Sequence, residues 1–97
     1  MLIKAGVDIS RLNREIRRAL PKIARVLYRY DTELVITSTY EGTHSEGSIH
    51  YINDAVDCRG PEMGAQECVT DIKLRLGKDY DVVYEKDHIH IEWDPKS

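Results

Sequence analysis

The sequence has no apolar run approaching the ~20 residues that a membrane-spanning helix requires, and its opening segment MLIKAGVDIS is broken by Asp8. That interruption is unlike a signal peptide, so the expectation is a chain made in the cytoplasm without an export signal. Cysteine is scarce. Cys58 and Cys68 are too few for a disulfide-built scaffold, and their spacing matches no zinc motif. Cys58 is expected to pack as a small buried hydrophobe. There is no internal repeat, low-complexity tract or long linker, no recognised DNA-binding motif and no separate wall-binding module. At 97 residues the chain has room for one domain, spanning 1–97, with a helical segment at about 9–30 and a motif-bearing core at about 34–95.

The charge is unevenly distributed. Residues 1–30 carry eight Lys/Arg against Asp8 and Glu15, a balance of +6, and the remainder carries six against fifteen, a balance of −9; together these make the net −3. Arg11, Arg14, Arg18, Lys22, Arg25 and Arg29 recur every three or four positions, forming a ridge if the segment is helical. A ridge of this kind is either a solvated helix face or an attractor of an anionic polymer, such as a cell-wall polyanion. No aromatics are interleaved with it, which disfavours a nucleic-acid partner.

Ser10 is the expected N-cap of a helix whose apolar face runs through Leu12, Ile16, Leu20, Ile23 and Leu27. Pro21 should kink this helix or open a second one. ELVITST reads as a buried strand. A further helix is expected to start at Gly60-Pro61, bury Cys68, Val69, Ile72 and Leu76, and stop at Gly77. YDVVYE and HIHIEW read as strands joined at Lys86-Asp87. The fold class is therefore α+β, a small antiparallel sheet with helices packed on one face.

The chemistry is concentrated in two segments, HSEGSIHYINDAVD and YEKDHIHIEW, which together hold all four histidines. A two-residue turn at Asn53-Asp54 would set His50 opposite Asp57, on one face of a hairpin. His88 and His90 are two apart and share a strand face, Glu92 continues it, and a turn at Lys86-Asp87 places Glu85 opposite His88. One sheet surface would then present His50, Asp57, Glu85, His88 and His90, with His44 approaching from the preceding loop. Two imidazoles and a carboxylate match a zinc site that keeps a fourth position open. The spare acids and imidazoles suit proton transfer and oxyanion stabilisation during amide hydrolysis.

These segments resemble the hedgehog/D-Ala-D-Ala-peptidase superfamily, in the pattern Ser-x-His-x-x-Gly-x-Ala-x-Asp followed by His-x-His. Ser48, His50, Ala55 and Asp57 fill the first motif, and His88 and His90 fill the second. The resemblance covers roughly residues 34–95. It implies Zn2+ bound by His50, Asp57 and His90, with His88 supporting the site or holding the oxyanion. His44 matches a histidine found six positions before the ligand in hedgehog domains. The peptidase spacing makes Asp87 the general base, whereas the hedgehog pattern makes it Glu85, and both stand. Three departures are visible: Asn53 replaces the usual Gly, Cys58 replaces an aliphatic residue, and Glu41 follows Tyr40 where many carboxypeptidases have an Arg.

The resemblance implies a zinc metallopeptidase acting on peptidoglycan stem peptides, as a D,D-carboxypeptidase or an L,D-type endopeptidase. A chain of this kind without an export signal would reach the wall by phage lysis, as an endolysin, or by virion delivery. The alternative is a non-catalytic, zinc-stabilised binding module of hedgehog-like fold.

Overall fold

A computed structural model of the chain describes residues 1–39 and 54–95. His44, Ser48, His50 and Asn53 lie outside the described residues. The elements run β1 (Leu2–Ile3), α1 (Arg14–Tyr28), β2 (Val35–Ser38), β3 (Ala55–Arg59), α2 (Ala65–Leu76), β4 (Tyr80–Glu85) and β5 (His88–Trp93). The strands form one sheet in the order β1-β2-β3-β5-β4. The α+β class is as expected, but the sheet is mixed, because β1 pairs parallel to β2 and every other pair is antiparallel. Two parallel neighbours need a crossover, and α1 supplies it.

Alternation along the strands separates two sheet faces. Ile36, Val56, Cys58, Val82, Ile89 and Ile91 are buried and join one cluster with Ile16, Ile23 and Leu27 of α1 and Cys68 and Ile72 of α2. Both helices therefore cover the same face. The other face carries Asp57, Glu85, His88, His90 and Glu92, since these positions alternate with the buried ones. Cys58 is a free thiol on the helix side, and burial pushes it up to about 12. It is the inert packing residue expected from the sequence.

Two local expectations need correction, both at helix starts. The first helix begins at Arg14, capped by Asn13 rather than Ser10. Ser10 instead closes a turn, its N–H donating to Asp8 Oδ1 at 2.8 Å, and its carbonyl accepts from Arg17 at 2.7 Å. Asn13 caps through its backbone conformation alone, because its side-chain amide donates to the Asp54 carboxylate. Pro21 opens no second helix, since α1 runs through it. It sits inside the helix on the exposed side, where the carbonyl it leaves without a helical donor can turn to water.

The second helix starts at Ala65, behind a left-handed Gly64 with φ 75°, four residues after Pro61. Gly60 ends the β3 ladder, its N–H donating to the Asp87 carbonyl at 3.3 Å. A Cβ at Gly60 would stand 2.8 Å from Cε1 of Tyr84, so the ring occupies the space that any larger residue needs. The inner face of α2 is as read, with Cys68, Val69, Ile72 and Leu76 buried and Gly77 as C-cap.

Candidate functional site on the open sheet face

The β4–β5 hairpin forms as the sequence suggests. Glu85 pairs with His88, and Lys86 takes the left-handed conformation, φ 55°, that a two-residue connection demands. This register puts Glu85, His88, His90 and Glu92 on the face away from the helices.

Asp57 reaches these histidines by a route the sequence did not suggest. Its ladder partners are His90 of β5 on one side and Ser38 of β2 on the other. Both edges of β3 are thus taken at Asp57 by described strands, and the His50 half of the expected hairpin lies outside the described residues. The Asp54 carbonyl accepts from Trp93 N–H at 2.8 Å, which starts the β3–β5 ladder. Beside Asp57 the β2 register shifts between Ile36 and Ser38. Bulges of this kind re-aim side chains next to functional sites, and here Ser38 rather than Thr37 comes opposite the carboxylate.

The side chains converge closely. His90 Nδ1 lies 2.7 Å from Asp57 Oδ1, and His90 Nε2 lies 3.2 Å from Glu92 Oε1. The second oxygen of Asp57 is 4.0 Å from His88 Nε2, and His88 Nδ1 is 3.5 Å from Asp87 Oδ1. Asp57 therefore faces both imidazoles of the His-x-His pair. The hydrogen bond to Asp57 raises His90 to about 9, the bond to Glu92 adds to this, and burial opposes both. As an imidazolium His90 donates from both nitrogens, one to each carboxylate.

Of the residues singled out in the sequence, Asp57, His88, His90 and Asp87 come together in this way. Glu85 shares their face at the rung opposite His88 and is exposed. His50 and His44 fall outside the described residues. An open cavity of about 810 Å³ borders the site and includes His90, Glu92 and Val83 in its lining.

Strand alternation alone makes Glu92 a continuation of this face. The missed signal is its i+2 spacing from His90, which places its carboxylate against the imidazole nitrogen that Asp57 leaves free. Metal-ligating histidines usually donate their second ring N–H to such a group. If Nδ1 and Asp57 share an ion, Glu92 fixes the ring. In a chain that holds zinc as the motif implies, Glu92→Ala is expected to weaken that binding by roughly 10–100-fold, read by competition with a chromogenic chelator. Unchanged affinity would reduce Glu92 to a surface acid.

Asp81, Glu92 and Asp94 also bring carboxylate oxygens within 4.8 Å of one another. This is an oxygen-only set of the sort favoured by hard cations, and exposed acids group in this way without any ion. No described helix is long and apolar enough to cross a membrane. Comparison of the chain with family models, with curated proteins and with solved structures returned no match.

Proposed function

We propose that this chain is a zinc-dependent peptidase that hydrolyses an amide bond in peptidoglycan stem peptides, as a D,D-carboxypeptidase or an L,D-type endopeptidase. The observation that carries the reading is the Asp57–His90 pair at 2.7 Å, flanked by a second imidazole and further acids on a sheet face that the helices leave uncovered. His90, Asp57 and His50 would hold the ion, His50 being assigned by its motif position. The donors fit on their chemistry, because two imidazoles and a carboxylate favour zinc. Asp57 Oδ1 and His90 Nδ1 already adjoin, and an ion held by both would displace to solvent the proton they share. Zinc, when held, supplies Lewis-acid polarisation of the scissile carbonyl.

The remaining steps belong to the chain. Asp87 or Glu85 accepts the proton of the attacking water and returns it to the leaving amine. His88, placed beside Asp57, donates to the oxyanion as it develops. The test is mass spectrometry of stem peptides and wall fragments incubated with zinc-loaded protein, against a chelated control. A zinc-dependent product supports the proposal, and its mass names the bond.

The second reading, a zinc-stabilised binding module, draws on a specific observation. The Asp87 side chain is 96% exposed, and Glu85 is exposed as well, so neither acid is held by packing. Stoichiometric zinc without any product would favour this reading.

A further inference from the structure

The largest charged feature outside the site is the outer surface of α1. At about 100° per residue, Arg14, Arg18, Lys22, Arg25 and Arg29 fall within about 40° either side of one line along the helix. All five are exposed. The buried positions Ile16, Ile23 and Leu27 centre about 140° or more around the helix from that line, so the ridge points away from the core. It extends over about 22 Å at 1.5 Å per residue. Arg14 is engaged by its neighbour Glu15 at 3.4 Å. Arg18, Lys22, Arg25 and Arg29 form no salt bridge with any carboxylate among the described residues.

Among the described residues, the opposite sheet face mixes Asp57, Glu85 and Glu92 with Arg59, His88 and His90, whereas the α1 ridge is cationic along its whole length. In a chain of net charge −3 this ridge is a local surface on which a polyanion meets positive charge. Four neighbouring cations arranged in a line match a linear chain of repeated negative charges better than they match a single anion.

We propose that α1 is a docking surface for a linear phosphodiester polyanion of the cell wall, a polyol-phosphate chain lying along the Arg18–Lys22–Arg25–Arg29 ridge. The choice of a wall polymer rests on the peptidase reading, which places the protein at the wall. Nucleic acid offers the same phosphodiester charge but also exposes bases, and no ridge position carries an aromatic or amide side chain to stack on or read them. Tyr28, the aromatic of this helix, is exposed but lies about 80° around from the ridge line. Because α1 packs on the helix-covered face of the sheet, polymer bound there leaves the Asp57–His90 face open. The ridge would hold the protein at the wall while the other face meets peptides.

The experiment measures binding of the full chain to purified poly(glycerol phosphate) by titration calorimetry, with chelator present so that the site's metal plays no part. Four phosphate contacts predict an affinity that falls roughly 50-fold between about 50 and 200 mM salt. R18E/K22E/R25E should weaken low-salt binding by on the order of 100-fold, whereas R18K/R25K/R29K should leave it within about threefold, since these contacts are made by charge and not by fork geometry. Should the reversed variant fold poorly, R18Q/K22Q/R25Q replaces it, with the loss still expected. Absence of binding at low salt, binding indifferent to the ridge, or tighter binding of single-stranded DNA of equal charge would each overturn the proposal. Hydrolysis of a soluble stem peptide is followed separately and should be unchanged in the ridge variants. Loss of hydrolysis from the unaltered protein counts against the peptidase reading and leaves polymer docking to be judged on its own titration.

Discussion

Asp57→Ala should remove stoichiometric zinc and reduce peptide hydrolysis to background. Asp57 is the residue on which the proposed site depends, because one oxygen lies 2.7 Å from His90 Nδ1 and the other 4.0 Å from His88 Nε2. Deleting the carboxylate would remove one of the proposed ligands and also the group hydrogen-bonded to the His90 ring. Two ligands on an open face hold zinc far less well than three, and we expect affinity to fall on the order of 1,000-fold or more. The fold should survive, because Asp57 projects from the face away from the core and is 26% exposed. Zinc content after gel filtration, product formation and a thermal melt, all on one preparation, separate these effects. Asp57→Ala protein that keeps wild-type zinc affinity would sink the assignment.

The second large effect concerns the general base. Asp87→Asn should lower kcat by about 100–10,000-fold while zinc is retained, the span expected when a positioned proton acceptor is lost. Glu85→Gln should change it by no more than about threefold, a surface-sized effect. The expectation rests on Asp87 Oδ1 standing 3.5 Å from His88 Nδ1, a contact that Glu85 does not share among the described residues. Single-turnover hydrolysis by zinc-loaded variants reads the chemical step directly. Reversal of the two results would make Glu85 the base. Near-wild-type rates in both variants would mean that neither acid moves the proton.

Much of the fold was legible wherever the signal was local and periodic. The buried stripe Cys68–Val69–Ile72–Leu76 and its stop at Gly77 follow from helical spacing and a glycine that is free to leave the helix. The β4–β5 hairpin follows from alternation on both sides of a two-residue connection. Less legible was the start of α1, where Ser10 and Asn13 are both good caps by type. The choice went to Asn13 because Ser10 is tied into a turn by Asp8. β1 left no pattern at all, since two exposed residues are too few to alternate. Its parallel pairing with β2 depends on α1 crossing the sheet.

The same division runs through the candidate site. Sequence alone determined that His88, His90 and Glu92 share a face, because strand side chains alternate with a period of two whatever the strand's neighbours, and the two-residue connection at Lys86-Asp87 adds Glu85 opposite His88. Only the tertiary structure decided who stands beside Asp57. The Asn53-Asp54 signal pointed to a local hairpin whose first half lies outside the described residues, whereas β3 is a central strand, and pairing it with β5 buries Val56 against Ile91 and Cys58 against Ile89. Apolar burial across the middle of a sheet fixes that long-range register, which no local spacing encodes, and it carries Asp57 to His90.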